Sequence, residues 1–188
     1  MSESQDEPLE IRLEKLNRLR VRGVDPYPHS YHRTHTSRDA FSLFESEETD
    51  DGAFRTEPIS IAGRMVAIRS MGKATFIDLL DRYGRFQTLF RGNTLPNSYE
   101  ILKDLDIGDW IGVSGPLFRT RAGEVTVEVH DWTLLSKSLR SLPEKWHGLA
   151  DVEIRYRQRY LDLIANSESR AVAVLRSRFV KALRHFME

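Results

Sequence analysis

Ile59-Ser60-Ile61-Ala62-Gly63-Arg64-Met65-Val66-Ala67 decides the fold of this chain. Ile59, Ile61, Gly63, Met65 and Ala67 occupy alternate positions, and a period of two sends alternate side chains to opposite faces of a strand. Downstream the pattern returns in shorter runs. Thr75–Leu80 predicts a second strand, Asp81-Arg82-Tyr83-Gly84 a hairpin turn, and Arg85–Arg91 a third strand. Leu95-Pro96 opens a short helix over about 97–104, which Asp106-Ile107-Gly108 ends. Trp110–Phe118 reads as a fourth strand, Ala122-Gly123 as a turn and Glu124–Leu135 as a fifth. Three strands, a helix and two strands is the order of the OB-fold, a partly open five-stranded barrel that binds oligonucleotides.

Upstream the period becomes helical. Leu9, Leu13, Leu16 and Leu19 predict an amphipathic helix over about 8–22, with Arg and Lys on its other face and Gly23 as the stop. Asp25-Pro26-Tyr27-Pro28 is extended, because proline restricts both its own φ and its predecessor. Thr36-Ser37 caps a second short helix carrying Ala40, Phe41, Leu43 and Phe44, and Glu45 to Asp51 reads as an acidic loop. Beyond Ser136 helices are expected from Asp151 to about Ile164 and from Glu168 onward. The fold class is therefore mainly β with flanking helices.

The 188 residues carry no cysteine, which excludes a disulfide framework, a thiolate metal site and a thiol nucleophile. No apolar run approaches the ~20 residues needed to span a bilayer, and the acidic N-terminus does not read as a signal peptide, so a cytoplasmic location is the expectation. A net charge of zero excludes a generic polycation but hides a gradient. Residues 1–57 hold 8 bases against 13 acids, and residues 136–188 hold 11 against 6. Between Ile61 and Arg91, six bases face only Asp78 and Asp81, which allows a local basic groove.

Arg69, Phe76 and Gln87 fall on the three strands that an OB-fold presents to a single strand. An aromatic ring there stacks on a base, arginine grips phosphate, and glutamine reads a base edge with a paired donor and acceptor. From spacing alone a second reading stays open, in which Phe76 is core and the other two are solvated. Met71-Gly72-Lys73-Ala74 is not a phosphate loop, because the glycine five residues earlier and the following Ser or Thr are replaced by Ala67 and Ala74. His29, His32 and His35 lie three apart in a proline-containing segment, a pattern better read as loop polarity than as a metal site. Arg155, Arg157 and Arg159 form no single stripe, since helical residues two apart do not share a face. No catalytic constellation stands out.

The run Arg155-Tyr156-Arg157-Gln158-Arg159-Tyr160-Leu161-Asp162-Leu163 is flanked by Leu142-Pro143-Glu144-Lys145-Trp146-His147-Gly148-Leu149 and by Glu168-Ser169-Arg170. With Arg69, Met71 to Phe76 and Arg85 to Gln87, these stretches make nearly the whole chain resemble the N-terminal part of bacterial-type lysyl-tRNA synthetases, which are class II enzymes. The resemblance implies that the OB domain grips the uridine-rich lysine anticodon. Phe76 would stack on the central uracil, Arg69 and Gln87 would contact it, and Glu124 in Arg121-Ala122-Gly123-Glu124 would help read the anticodon. Ala122 stands where the family usually has threonine or asparagine.

The same resemblance divides the chain into an N-terminal helical extension (1–57), an OB anticodon-binding domain (58–136), a linker (137–152) and the start of a class II α+β catalytic domain (153–188). ATP and Mg2+ are implied for the full-length enzyme, which attaches lysine to its tRNA and forms a homodimer. The sequence is expected to end inside the first class II motif, leaving no catalytic residue, no metal ligand and no activity in this chain alone. Val172, Val174, Leu175, Phe179, Leu183 and Phe186 are then expected as an uncovered apolar row. The alternatives are a standalone OB-fold RNA-binding protein and an aspartyl- or asparaginyl-type synthetase.

Overall fold

A computed structural model describes residues 9–48, 54–142, 149 and 151–188. The chain forms two compact units that divide between Arg140 and Ser141. The first contains α1 (Leu9–Val21), α2 (Ser37–Glu47), β1 (Ile59–Met71), β2 (Ala74–Leu80), β3 (Arg85–Arg91), a 3-10 turn (Tyr99–Asp104), β4 (Trp110–Gly115), β5 (Leu117–Arg119), β6 (Val125–Glu128) and β7 (Asp131–Ser136). The second contains α3 (Val152–Arg157), α4 (Arg159–Ala165) and α5 (Ser167–Met187).

Strand β1 is long enough to serve two neighbours. Its first half pairs with β4, from Ile59↔Gly115 to Arg64↔Trp110, and its second half with β2, down to Met71↔Ala74. Gly72, at φ +61, opens the two-residue turn between β1 and β2, the conformation a tight hairpin asks of its first central residue. Strand β3 pairs antiparallel with β2 and parallel with β6, where Gln87 faces Thr126. The sheet order is β5-β6-β3-β2-β1-β4-β7.

The expected fourth and fifth strands are each two segments. Pro116 separates β4 from β5, and Val129-His130 separates β6 from β7. A proline has no N–H to continue a ladder, so the strand bends where Pro116 lies. The bent pair stays together, because Glu128 N donates to Pro116 O at 2.9 Å and His130 N to Ser114 O at 2.8 Å. Gly115 makes this closeness possible: a Cβ there would lie 1.8 Å from Glu128 O. The result is an OB-fold of seven strand segments whose ladder stays open at β5 and β7. The short helix expected over 97–104 is a 3-10 turn over Tyr99–Asp104, a single short run of the kind in which 3-10 geometry is common.

Inside the sheet Ile61, Met65, Ile77, Leu79, Phe90, Ile111, Val113 and Leu134 are fully buried, with Leu19, Ala40 and Phe44 of the helices closing the core. Helix α1 ends in a Schellman motif, with Val24 N donating to Leu19 O and Gly23 N to Arg20 O, and φ +76 at Gly23. Its contact face differs from expectation. Leu16 and Leu19 are buried, but Leu9 and Leu13 are exposed, and the face rich in Arg and Lys docks. Arg12 donates to Ser138 O, Lys15 pairs with Asp106 at 2.7 Å, and Arg18 and Arg22 pair with Asp104. Asp104, the last residue of the 3-10 turn, and Asp106 just after it are the acids that hold this face. Beneath it, fully buried Lys137 ion-pairs with Asp106 and, at 2.9 Å, with Asp109.

Helix α2 starts with a capping box in which Thr36 and Asp39 satisfy each other's backbone N–H. It runs on to Glu47, so the start of the expected acidic loop is helical.

In the second unit the helix expected from Asp151 to Ile164 breaks at Gln158, whose φ of −112 and ψ of 55 leave helical space. Asp162, fully buried, sits across the break and accepts from Arg155, Arg159 and Asn166. Along α5, Val172, Leu175, Phe179, Leu183 and Phe186 are exposed. Residues 143–148 of the Leu142–Leu149 motif lie outside the described residues.

Candidate nucleic-acid interface

Residues directly opposed in a ladder share a face. Arg69 opposes Phe76, Phe76 opposes Leu89, Asp78 opposes Gln87, and Gln87 is level with Thr126. Their sequence neighbours Ile77, Phe86, Phe90 and Val127 point into the core, so this set forms the outer face of β1, β2, β3 and β6. Three of the expected site residues, Arg69, Phe76 and Gln87, lie on it together. The fourth, Glu124, reaches it from the β5–β6 turn, which Gly123 closes at φ +85 with its N–H on Thr120 O at 2.8 Å.

Gln87 is the most constrained of the four. It is buried, its Nε2 donates to Glu124 Oε2 at 2.7 Å, and its Oε1 accepts from Thr126 Oγ1 at 2.9 Å. A carboxylate only accepts, so Glu124 fixes which end of the amide carries nitrogen. One N–H and one lone pair of the amide remain. Phe76 is half-buried and lies outside the core cluster, which corrects the reading that placed it in the core.

Asp78 is fully buried and grips Arg69 in a forked pair at 2.9 and 2.9 Å, while Arg85 reaches the same carboxylate at 2.7 Å. Bidentate pairing of this kind holds a guanidinium in a set plane. Farther along the face Glu128 pairs with Arg55 and, at 3.1 Å, with Arg91. These four arginines are thus neutralised where they stand, while Arg64 on β1 donates to Gly108 O and stacks on Trp110. Asp78, Arg85 and Thr126 were not among the expected site residues. Their sequence signal was position: Asp78 and Arg85 lie two residues from Phe76 and Gln87 respectively, hence on the same face.

The other sequence candidates have roles of their own. Met71-Gly72-Lys73-Ala74 is the β1–β2 hairpin turn. His35 Nδ1 is hydrogen-bonded to Thr34 Oγ1, and among the described residues no three His, Asp or Glu side chains converge to hold a metal ion. Arg155 and Arg159 hold Asp162, while Arg157 makes an exposed pair with Glu153. The outer face offers a ring, a locked amide and oriented guanidinium groups, which together can hold a flat hydrogen-bonding heterocycle.

Comparison with known proteins agrees in kind. Residues 59–135 match the tRNA anti-codon family model, described as an OB-fold nucleic acid binding domain. The chain is 47% identical over 190 residues to a lysine–tRNA ligase of Moorella thermoacetica, covering 99% of this chain and 37% of the relative. It is 49% identical over 177 residues to one of Dehalococcoides mccartyi, covering 94% and 35%, and 48% identical over 187 residues to one of Pelotomaculum thermopropionicum, covering 99% and 36%. The chain thus spans little more than a third of the length of the curated relatives it matches.

Proposed function

We infer that this chain, a relative of the N-terminal third of lysine–tRNA ligases with an OB-fold of the tRNA anti-codon family, binds the anticodon loop of a lysine tRNA. The observation that carries the reading is the locked Gln87 amide beside half-exposed Phe76. Uracil presents an N–H donor next to a carbonyl acceptor. The lone pair left on Gln87 Oε1 and the N–H left on Nε2 match that pair, whereas cytosine presents the reverse. With Glu124 preventing the amide from turning over, the wrong base leaves both groups opposed. A well-made bidentate contact discriminates by about 1–3 kcal/mol. Phe76 supplies a stacking surface worth about 1–3 kcal/mol, and Arg69, oriented by Asp78, lies in the register next to it.

In this proposal the chain contributes RNA recognition to an ATP-dependent ligase that joins lysine to its tRNA. Residues 1–57 are its helical extension, 58–136 its anticodon domain, 137–152 a linker, and 153–188 the start of its catalytic domain. ATP and Mg2+ enter this proposal only with the longer ligase; among the described residues no three His, Asp or Glu side chains converge to hold a metal ion. Homodimerisation belongs to the same proposal, with the exposed apolar row of α5 as the face a second copy covers.

The test is binding of the chain to a lysine-anticodon stem-loop and to the same loop with cytidine for the central uridine. The chain is expected to prefer uridine. Phe76→Ala is expected to weaken binding by roughly 5- to 150-fold. Gln87→Ala is expected to erase the preference. Equal, purely salt-dependent binding to both loops by all three proteins would overturn the reading.

A further inference from the structure

We propose that Arg38, Arg82 and Tyr83, on α2 and the β2–β3 turn, form a second RNA contact that grips the phosphate backbone of the strand whose bases the sheet reads. The proposal rests on the anticodon reading above and extends it to a surface which that reading does not use.

Four arginines at the outer face are already committed, whereas Arg64 donates to Gly108 O and stacks on Trp110. Arg69, Arg85, Arg55 and Arg91 each hold a carboxylate, so the face attracts a polyanion weakly for its arginine content. At the turn the situation is reversed. The guanidinium carbon of Arg38 lies 4.4 Å from the centroid of the Tyr83 ring and that of Arg82 lies 5.6 Å from it. All three side chains are exposed. Among the described residues neither arginine has an acidic partner within ion-pair distance. Two cations without an ion-pair partner among the described residues, set on one exposed ring, offer charge to a phosphate and a flat surface to a base or ribose.

The group is also built to stay in place. Asp81 is buried and accepts four hydrogen bonds: from Ser37 N at 2.7 Å, Ser37 Oγ at 2.6 Å, Tyr83 N at 2.7 Å and Gly84 N at 3.0 Å. One carboxylate therefore joins the first turn of α2, next to Arg38, to the turn that carries Arg82 and Tyr83. This presents both arginines from fixed backbone rather than from a free loop.

Continuity with the reading face comes through Arg85. It is the first residue after the turn, and it ion-pairs with Asp78, the carboxylate that also holds Arg69. The Asp78↔Gln87 pair lies three residues from Asp81 and Gly84, about 10 Å along the hairpin. That distance suits an adjoining stretch of the same RNA strand. Phosphate contacts position a nucleic acid without reading it, so the two groups would divide the work, the sheet specifying and the turn holding.

The experiment measures binding of the full chain to the uridine and cytidine stem-loops across a series of salt concentrations. The proteins are wild type, Arg38→Ala, Arg82→Ala, the double variant, and Phe76→Ala as a control on the sheet. Asp81 stays intact in all of them, so the turn keeps its shape. Each arginine variant is expected to weaken both loops by the same several-fold factor. Each should also reduce the slope of log K against log salt by about one, with the uridine-to-cytidine ratio unchanged. If the double variant binds like wild type while Phe76→Ala does not, the turn takes no part, and the anticodon reading survives. If the arginine variants change the uridine-to-cytidine ratio, they touch bases, and the backbone assignment fails. If no variant matters, the sheet reading falls as well.

Discussion

Lys137→Met removes one charge from the most enclosed ionic group among the described residues. Lys137 is fully buried and bonds Asp106 and, at 2.9 Å, Asp109. After the change Asp106 keeps a cation, because Lys15 holds it at 2.7 Å. Asp109 loses its ion-pair partner and keeps as hydrogen-bond donors the N–H groups of Asp106 at 2.8 Å and Ser138 at 2.7 Å, with the Arg64 guanidinium as the nearby cation. The cost is therefore that of one buried charge left without its partner, about 3–5 kcal/mol at neutral pH. With a urea dependence of roughly 2 kcal/mol per molar, the unfolding midpoint should fall by about 2 M.

The loss should also depend on pH. Burial already pushes the Asp109 carboxyl up, and Lys137 is the first of the groups pulling it back down. Without the lysine it rises further. A carboxyl whose folded pKa exceeds its unfolded one takes up a proton on folding. The variant therefore recovers stability as pH falls through that raised value toward the ordinary carboxylate range. Urea unfolding of both proteins at several pH values measures this. A loss under about 1 kcal/mol, or one of equal size at pH 5 and pH 8, would refute the argument from an unpaired Asp109.

Gly115→Ala should destabilise the barrel by about 3 kcal/mol or more, because its Cβ would meet the Glu128 carbonyl at 1.8 Å. Gly84→Ala, with nothing within 4 Å, should stay within about 0.5 kcal/mol of wild type, and matching unfolding midpoints for the two would sink the explanation. Asp81→Asn should cost stability at neutral pH and less in acid. Burial raises the Asp81 carboxyl, but the four hydrogen bonds from Ser37, Tyr83 and Gly84 outweigh it and leave the pKa lowered. Its contribution is thus full above the ordinary value and disappears as pH drops through the folded one. A gap between Asp81→Asn and wild type that persists unchanged below pH 3 would count against this.

The strands were legible where one face is buried. The alternation over Ile59–Ala67 and the Asp81–Gly84 turn correspond to β1 and the β2–β3 hairpin. The break at Pro116 had a local signal, the missing N–H of proline, which the reading of one continuous strand passed over; Gln158 carries no such signal, and its break is spanned by Asp162 holding Arg155 and Arg159. The docking face of α1 was missed for a different reason. Leucine spacing is a local signal, whereas the carbonyls that accept from Arg12 and the acids that pair with Lys15 and Arg18 lie about 90 residues away or more. For the candidate site, residue type and strand position brought out Arg69, Phe76 and Gln87. The Gln87–Glu124 bond and the Asp78 clamp needed three-dimensional register, because an aspartate inside a strand looks like any solvated polar residue.

The attachment of α1 bears on how the chain emerges during synthesis. Arg12 is made 126 residues before Ser138, and Lys15 is made 91 before Asp106. At roughly 5–20 residues per second, about 6–25 seconds separate the helix from the last of its anchors. A helix of 13 residues is marginal in water by itself. While the ribosome completes the barrel, this leucine-bearing and basic segment waits without the acids that will hold it. This helix is made before the strands and is fixed only after them, and for that interval it is open to whatever else on the ribosome offers negative charge.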